Sequence, residues 1–81
     1  MKKPSKLGHR RIMALRSRLA DIVRRELHRH GWTDREAAQY LSCEHVNVWR
    51  VRTRGGEVSL EMLLLMLEHL GYRYKLTLAL P

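Results

Sequence analysis

Ile12, Leu15, Leu19, Ile22, Val23 and Leu27 recur every three or four residues, which places them on one face of an α-helix over residues 9–30. Arg10, Arg18, Arg25 and Arg29 fall on the opposite face, and Gly31 stands where a helix C-cap is expected. This stripe constrains the fold more than any other feature. A long helix with one apolar side must be covered, and an 81-residue chain has only short elements left to cover it. One domain is therefore predicted, organised around that helix.

The elements that follow are short. Thr33 precedes Asp34, Arg35 and Glu36, an arrangement that predicts a capping box at the start of a second helix carrying Ala37, Ala38, Tyr40 and Leu41. Ser42 and Cys43 interrupt it, and a third helix is predicted over residues 44–53 with Val48 and Val51 inward. Residues 54–57 (RGGE) read as a loop. Ser59 caps a fourth helix over residues 60–70, closed by Gly71 and apolar almost all round. Residues 1–8 read as a flexible basic arm, residues 9–71 as the folded domain and residues 72–81 as a terminal strand.

That last assignment rests on a change of period. Tyr72, Tyr74, Leu76, Leu78 and Leu80 alternate with Arg73, Lys75, Thr77 and Ala79. A lone strand has no partner for its backbone groups, so pairing with the same strand of a second copy is expected. Leu64, Leu67, Tyr72, Tyr74, Leu76 and Leu78 are the expected dimerisation residues. The fold class expected is all-α, of four to five helices, with one C-terminal β-strand pairing across a homodimer.

Charge narrows the function. Lysine and arginine number 16 against 8 acids, a net charge of +8 with a pI near 10.6. The excess lies within residues 1–30 and points to a polyanionic partner. One cysteine excludes a disulfide-stapled secreted scaffold. No apolar run follows the basic start at Met1–Lys3, and the stretch over residues 60–70 is broken by Glu61, Glu68 and His69, so no signal peptide or membrane span is expected and the reading is cytoplasmic. No catalytic triad, paired carboxylates or glycine phosphate loop is present, and the five histidines lack ligand spacing. Neither an enzyme, a metal site nor a cofactor is expected. Cys43 reads as a small buried side chain rather than a reactive thiol.

A short helix, a tight turn and a second short helix over residues 33–53 make a helix-turn-helix plan. The outward face of the third helix would carry His45, Val46, Asn47, Trp49 and Arg50 as base-contacting residues. Arg50 suits guanine, Asn47 adenine and Val46 a thymine methyl. Thr33, Arg35, Thr53 and Arg54 are the candidate phosphate contacts. Two other arrangements stay open: a merely solvated face, or Trp49 turned into the core. The basic first helix also has a second reading, as a helix lying on an anionic membrane surface.

The stretch WTDREAAQYLSCEHVNVWRVRTRGGEVSLEMLLLMLEHLGYRYKLTLAL resembles the XRE-type, lambda-repressor-like regulators, and within them the antitoxins of host-inhibition-of-growth type toxin–antitoxin systems. The opening TDREAAQYL, the helix SLEMLLLMLEHLGY and the amphipathic terminal strand carry the resemblance. It implies a repressor that binds a double-stranded DNA operator as a homodimer, autoregulates its promoter and neutralises a small cognate toxin. A stand-alone phage or mobile-element repressor shares these features, and a nucleoid-type, non-specific binder is the further alternative. Two departures stand out: Ser42 occupies the turn position usually held by Gly, and Asp34 replaces the usual Gln, leaving phosphate contact to Thr33, Arg35 and backbone N–H groups.

Glu26 and Arg52 break the apolar pattern of the first and third helices. They are expected to meet as a partly buried ion pair, the alternative being that each reaches solvent separately. Lambda-repressor-like proteins often tie these helices with the two charges in the opposite order.

Overall fold

The computed structural model describes residues 6–54 and 57–73. Among them are four helices and no strand: α1 (Lys6–His30), α2 (Asp34–Leu41), α3 (His45–Arg54) and α4 (Leu60–His69). The expected all-helical architecture is present. Of the strand predicted over residues 72–80, Tyr72 and Arg73 are described and form no strand, the Tyr72 hydroxyl donating to Glu26 of α1; residues 74–80, with Tyr74, Leu76 and Leu78, lie outside the described residues.

α1 begins three residues earlier than the pattern predicts, so Lys6–Gly8 belong to the helix and not to an arm. One glycine inside a helix costs only about 1 kcal/mol, less than a long amphipathic helix can absorb. Arg54 likewise extends α3 into the expected loop. The helices stop where their caps dictate. Gly31 (φ 66°) and Gly71 (φ 88°) are left-handed, and the N–H groups of Gly31 and Tyr72 donate to the Leu27 and Leu67 carbonyls at 3.1 and 2.9 Å. Ser59 caps α4 by accepting the Met62 N–H at 3.1 Å.

The core lies where α1, α3 and α4 converge, with α2 packed on α3 and α4. Ala20, Val23 and Leu27 of α1 meet Ala37 and Leu41 of α2, Val48 and Val51 of α3, and Val58, Leu63, Met66 and Leu67 around α4. Burial of a side chain such as Leu27 or Leu63 is worth roughly 1.5–3 kcal/mol. α4 is therefore less exposed than its composition suggests. Leu67, expected at a dimer surface, retains only 4% exposure inside its own subunit, whereas Leu65 is 44% exposed. Leu64 is half-buried. The correction follows from helix phase: Leu67 shares the inward face with Leu63, four residues earlier.

α1 is far longer than the body it supports. Its 25 residues span about 37 Å at ~1.5 Å per residue, which accounts for the longest axis of 43 Å against 23 and 20 Å. Among its described side chains the first fully buried is Ala20, with Leu19 packed against the core just before it, so the turns ahead of Leu19 overhang the core.

Candidate nucleic-acid interface

The candidate surface is built from α2, the turn after it, and α3. The predicted capping box is present: Thr33 Oγ1 accepts the Glu36 N–H at 3.2 Å, and the Thr33 N–H donates to Glu36 Oε1 at 3.0 Å. That backbone donor, with the Thr33 hydroxyl behind it, holds the Glu36 carboxyl below its ordinary range. Asp34 and Glu36 also place negative charge on the positive end of α2.

The turn is a Schellman type. Ser42 sits in the left-handed region (φ 54°, ψ 45°), its N–H approaches the Gln39 carbonyl at 3.4 Å, and the Cys43 N–H donates to the Ala38 carbonyl at 3.0 Å. Ser42 thus takes the conformation that Gly31 and Gly71 take elsewhere. Cys43 is half-buried, and desolvation, then the nearby Glu44 carboxylate, pushes its thiol up, away from the reactive thiolate.

α3 is held from its inner side. Val48 and Val51 are fully buried. From α1, the Arg24 Nε donates to the Val51 carbonyl at 2.8 Å while its Nη1 pairs with Asp21 at 2.6 Å. Arg52 donates through Nε to Asp34 Oδ1 at 2.6 Å and through Nη2 to the Trp32 carbonyl. Asp34, which as an acid at this position would repel a phosphate, therefore serves to tie α2 to α3.

This overturns the expected Glu26–Arg52 pair. The Glu26 carboxylate instead accepts from Arg29 Nη2 at 2.8 Å and from the Tyr72 hydroxyl at 2.8 Å, with His30 Nε2 at 3.5 Å. Arg29, one turn further along α1, is within immediate reach, and Asp34 is nearer to the inner side of α3 than Glu26 is. The Arg29 bond, then the Tyr72 bond, lowers the Glu26 carboxyl against the opposing effect of a side chain only 12% exposed. The same carboxylate raises the Tyr72 hydroxyl.

With its inner side occupied, α3 presents the other side outward. His45, Trp49, Arg50 and Thr53 are exposed, Trp49 by 43%, which settles against its burial in the core. Val46 and Asn47 are half-buried at the base of that face. Thr53 Oγ1 donates back to the Trp49 carbonyl at 2.8 Å, so its proton is committed to its own helix. Arg35 is exposed on the first turn of α2 and, with Ala38, Cys43, Glu44, His45 and Val46, lines a depression of about 480 Å³ between α2 and the start of α3. Thr33 is exposed but serves as the cap; the Arg54 side chain lies outside the described residues. A larger depression of about 610 Å³ on the α1 side gathers Arg24, Arg25, His28 and Arg52 with Asp21, but Arg24 and Arg52 are already engaged there.

The sequence pattern gives no sign of one neighbouring feature. His30 stacks on Trp32 with ring centroids 4.2 Å apart and planes within 5°, and Trp32 meets Tyr40 at 4.6 Å. This aromatic ladder fastens the end of α1 to α2 and orients the Trp32 carbonyl that Arg52 uses.

No family model, curated protein or solved structure matches this chain.

Proposed function

We propose that the chain is a sequence-specific DNA-binding transcriptional repressor that acts as a homodimer, each α3 entering one major groove of a two-fold operator. The observation that carries this reading is the outward face of α3. An arginine, a histidine and a tryptophan stand exposed on a short helix whose opposite side is locked by Arg24 and Arg52. The arginine is a bidentate donor suited to a guanine edge, and Trp49, 43% exposed, adds apolar surface to the same face. Asn47 and Val46 flank them. The net charge of +8 supplies the non-specific attraction to phosphate.

The lambda-repressor-like resemblance of residues 32–80 supports the same reading. It extends it to an autoregulating antitoxin with a small toxin partner, which co-expression with the neighbouring reading frame and pull-down would test. Dimerisation is proposed through residues 72–80, whose alternating pattern fits antiparallel pairing between copies.

Selection of bound duplexes from a random library is the direct test. A recovered consensus with two-fold symmetry supports the proposal; sequences indistinguishable from the input pool refute it. Arg50→Ala should then cost about 1–3 kcal/mol at the consensus and relax preference at one base pair. Equal losses on specific and random duplex would make Arg50 a phosphate contact.

A further inference from the structure

α1 carries an apolar line beside its buried one, anchored against the core at Leu19 and Ile22 and running out past it to Ile12 and Leu15. Ile12, Leu15, Leu19 and Ile22 follow a 3-4-3 spacing, the seam of a helix that packs against another helix. Ile12 is 54% and Leu15 45% exposed, with Leu19 and Ile22 half-buried nearer the body. Such a cluster on a protruding helix is a surface waiting for a partner.

The rim of this seam is cationic. Arg11, Arg18 and Arg25 border one side at seven-residue intervals and Arg16 the other, and Lys6–Ala20 contains no acidic residue. Among the described residues, none of Arg11, Arg16 and Arg18 meets a carboxylate. Arg16 donates through Nη2 to Met13 Sδ at 2.7 Å, while its Nε is buried with no hydrogen-bond partner.

We propose that the overhanging half of α1 is a docking surface for an amphipathic helix of another protein, one whose apolar stripe is bordered by glutamate or aspartate. The partner's apolar residues would cover the open end of the seam at Ile12 and Leu15, and its carboxylates would pair with the guanidinium groups of Arg11, Arg16 and Arg18. Charge decides against the nearer alternatives. A second copy would set the same arginines against one another, and residues 74–81 bring Lys75 and no acid. The seam contains no tryptophan, and the chain has no phenylalanine, to anchor in a lipid interface. This surface is independent of α3 and of any DNA reading.

The test uses the full chain and two synthetic heptad peptides, both with leucine at the seam positions, one with glutamate and one with lysine on the borders. The glutamate peptide should bind, with amide shifts concentrated between Arg11 and Ile22, and the lysine peptide should not. Leu15→Ser, or Arg11→Glu with Arg18→Glu, should weaken binding by at least about tenfold while leaving helicity unchanged, since these side chains are exposed. Equal binding of both peptides, or of neither, overturns the proposal. So does self-association lost in Leu15→Ser, which would assign the seam to a second copy. Binding to phosphatidylserine vesicles without binding to the glutamate peptide would assign it to a membrane surface and equally refute it.

Discussion

Ser42→Gly should stabilise this protein, and its size can be worked from the backbone. Ser42 holds φ 54° and ψ 45°, the left-handed region, which costs a residue with a Cβ roughly 1–2 kcal/mol. Glycine removes that penalty but gives back roughly 0.4–1 kcal/mol through the greater freedom of its unfolded chain. Ser42 is exposed, so little packing is lost. The net expectation is a gain of about 0.5–1 kcal/mol, or a rise in Tm of roughly 3–6 °C for a domain of this size. The two glycine turns provide the internal scale. A Cβ added at Gly31 or Gly71 would meet nothing within 4 Å, so Gly31→Ala and Gly71→Ala set the same backbone strain against the same unfolded-chain effect without a clash and should each lose about 0.5–1 kcal/mol. Thermal and urea unfolding followed by circular dichroism would measure all three, with Ser42→Ala as the variant that retains the strain. A lower Tm for Ser42→Gly, or an equal rise for Ser42→Ala, would refute the reasoning.

Asp34→Ala and Arg52→Ala should each cost about 1–2 kcal/mol, and the double variant should fall short of their sum by about 1 kcal/mol, a figure reduced for side chains that are still about one-third exposed; additive losses in urea denaturation would remove the tie between α2 and α3. Leu27→Ala, at a fully buried position, should cost roughly 2–5 kcal/mol by the same assay. The pH profile of stability should carry Glu26 at its acid end. Its folded carboxyl lies below the unfolded value near ~4.3, so its contribution is full above that pH and is lost as pH falls through the folded value. Tyr72 acts at the opposite end: its raised hydroxyl contributes below about pH 10 and loses that contribution as pH climbs through the folded value. Glu26→Gln should flatten both limbs; an unchanged profile would show that the pair contributes nothing.

Helix placement is legible in this chain because its signals are local. Thr33 with Glu36, Ser59 before an apolar run, and Gly31 and Gly71 each act within one turn, and all of them cap as their positions predict. The outward setting of Trp49 and Arg50 follows equally from the helical phase of Val48 and Val51. Pairing of charges does not. Glu26 and Arg52 both interrupt apolar patterns, yet each has another partner closer at hand, and only the packed arrangement brings Asp34 and the Trp32 carbonyl beneath Arg52. Leu67 shows the same limit: an all-round apolar helix does not say which of its sides the rest of the chain will cover, and the tertiary contacts of α4 decide it.

The chain's two tryptophans divide their surroundings between them, and this makes the protein its own optical instrument. Trp32 lies between the His30 imidazole at 4.2 Å and the Tyr40 phenol at 4.6 Å, contacts that set its emission and are lost when α1 and α2 separate. Trp49 stands on the far helix, 43% open to solvent. A Trp49→Phe chain would then emit in response to folding, and a Trp32→Phe chain in response to whatever settles on α3. Unfolding and ligand capture could thus be followed on separate channels in the same cuvette, with no label attached.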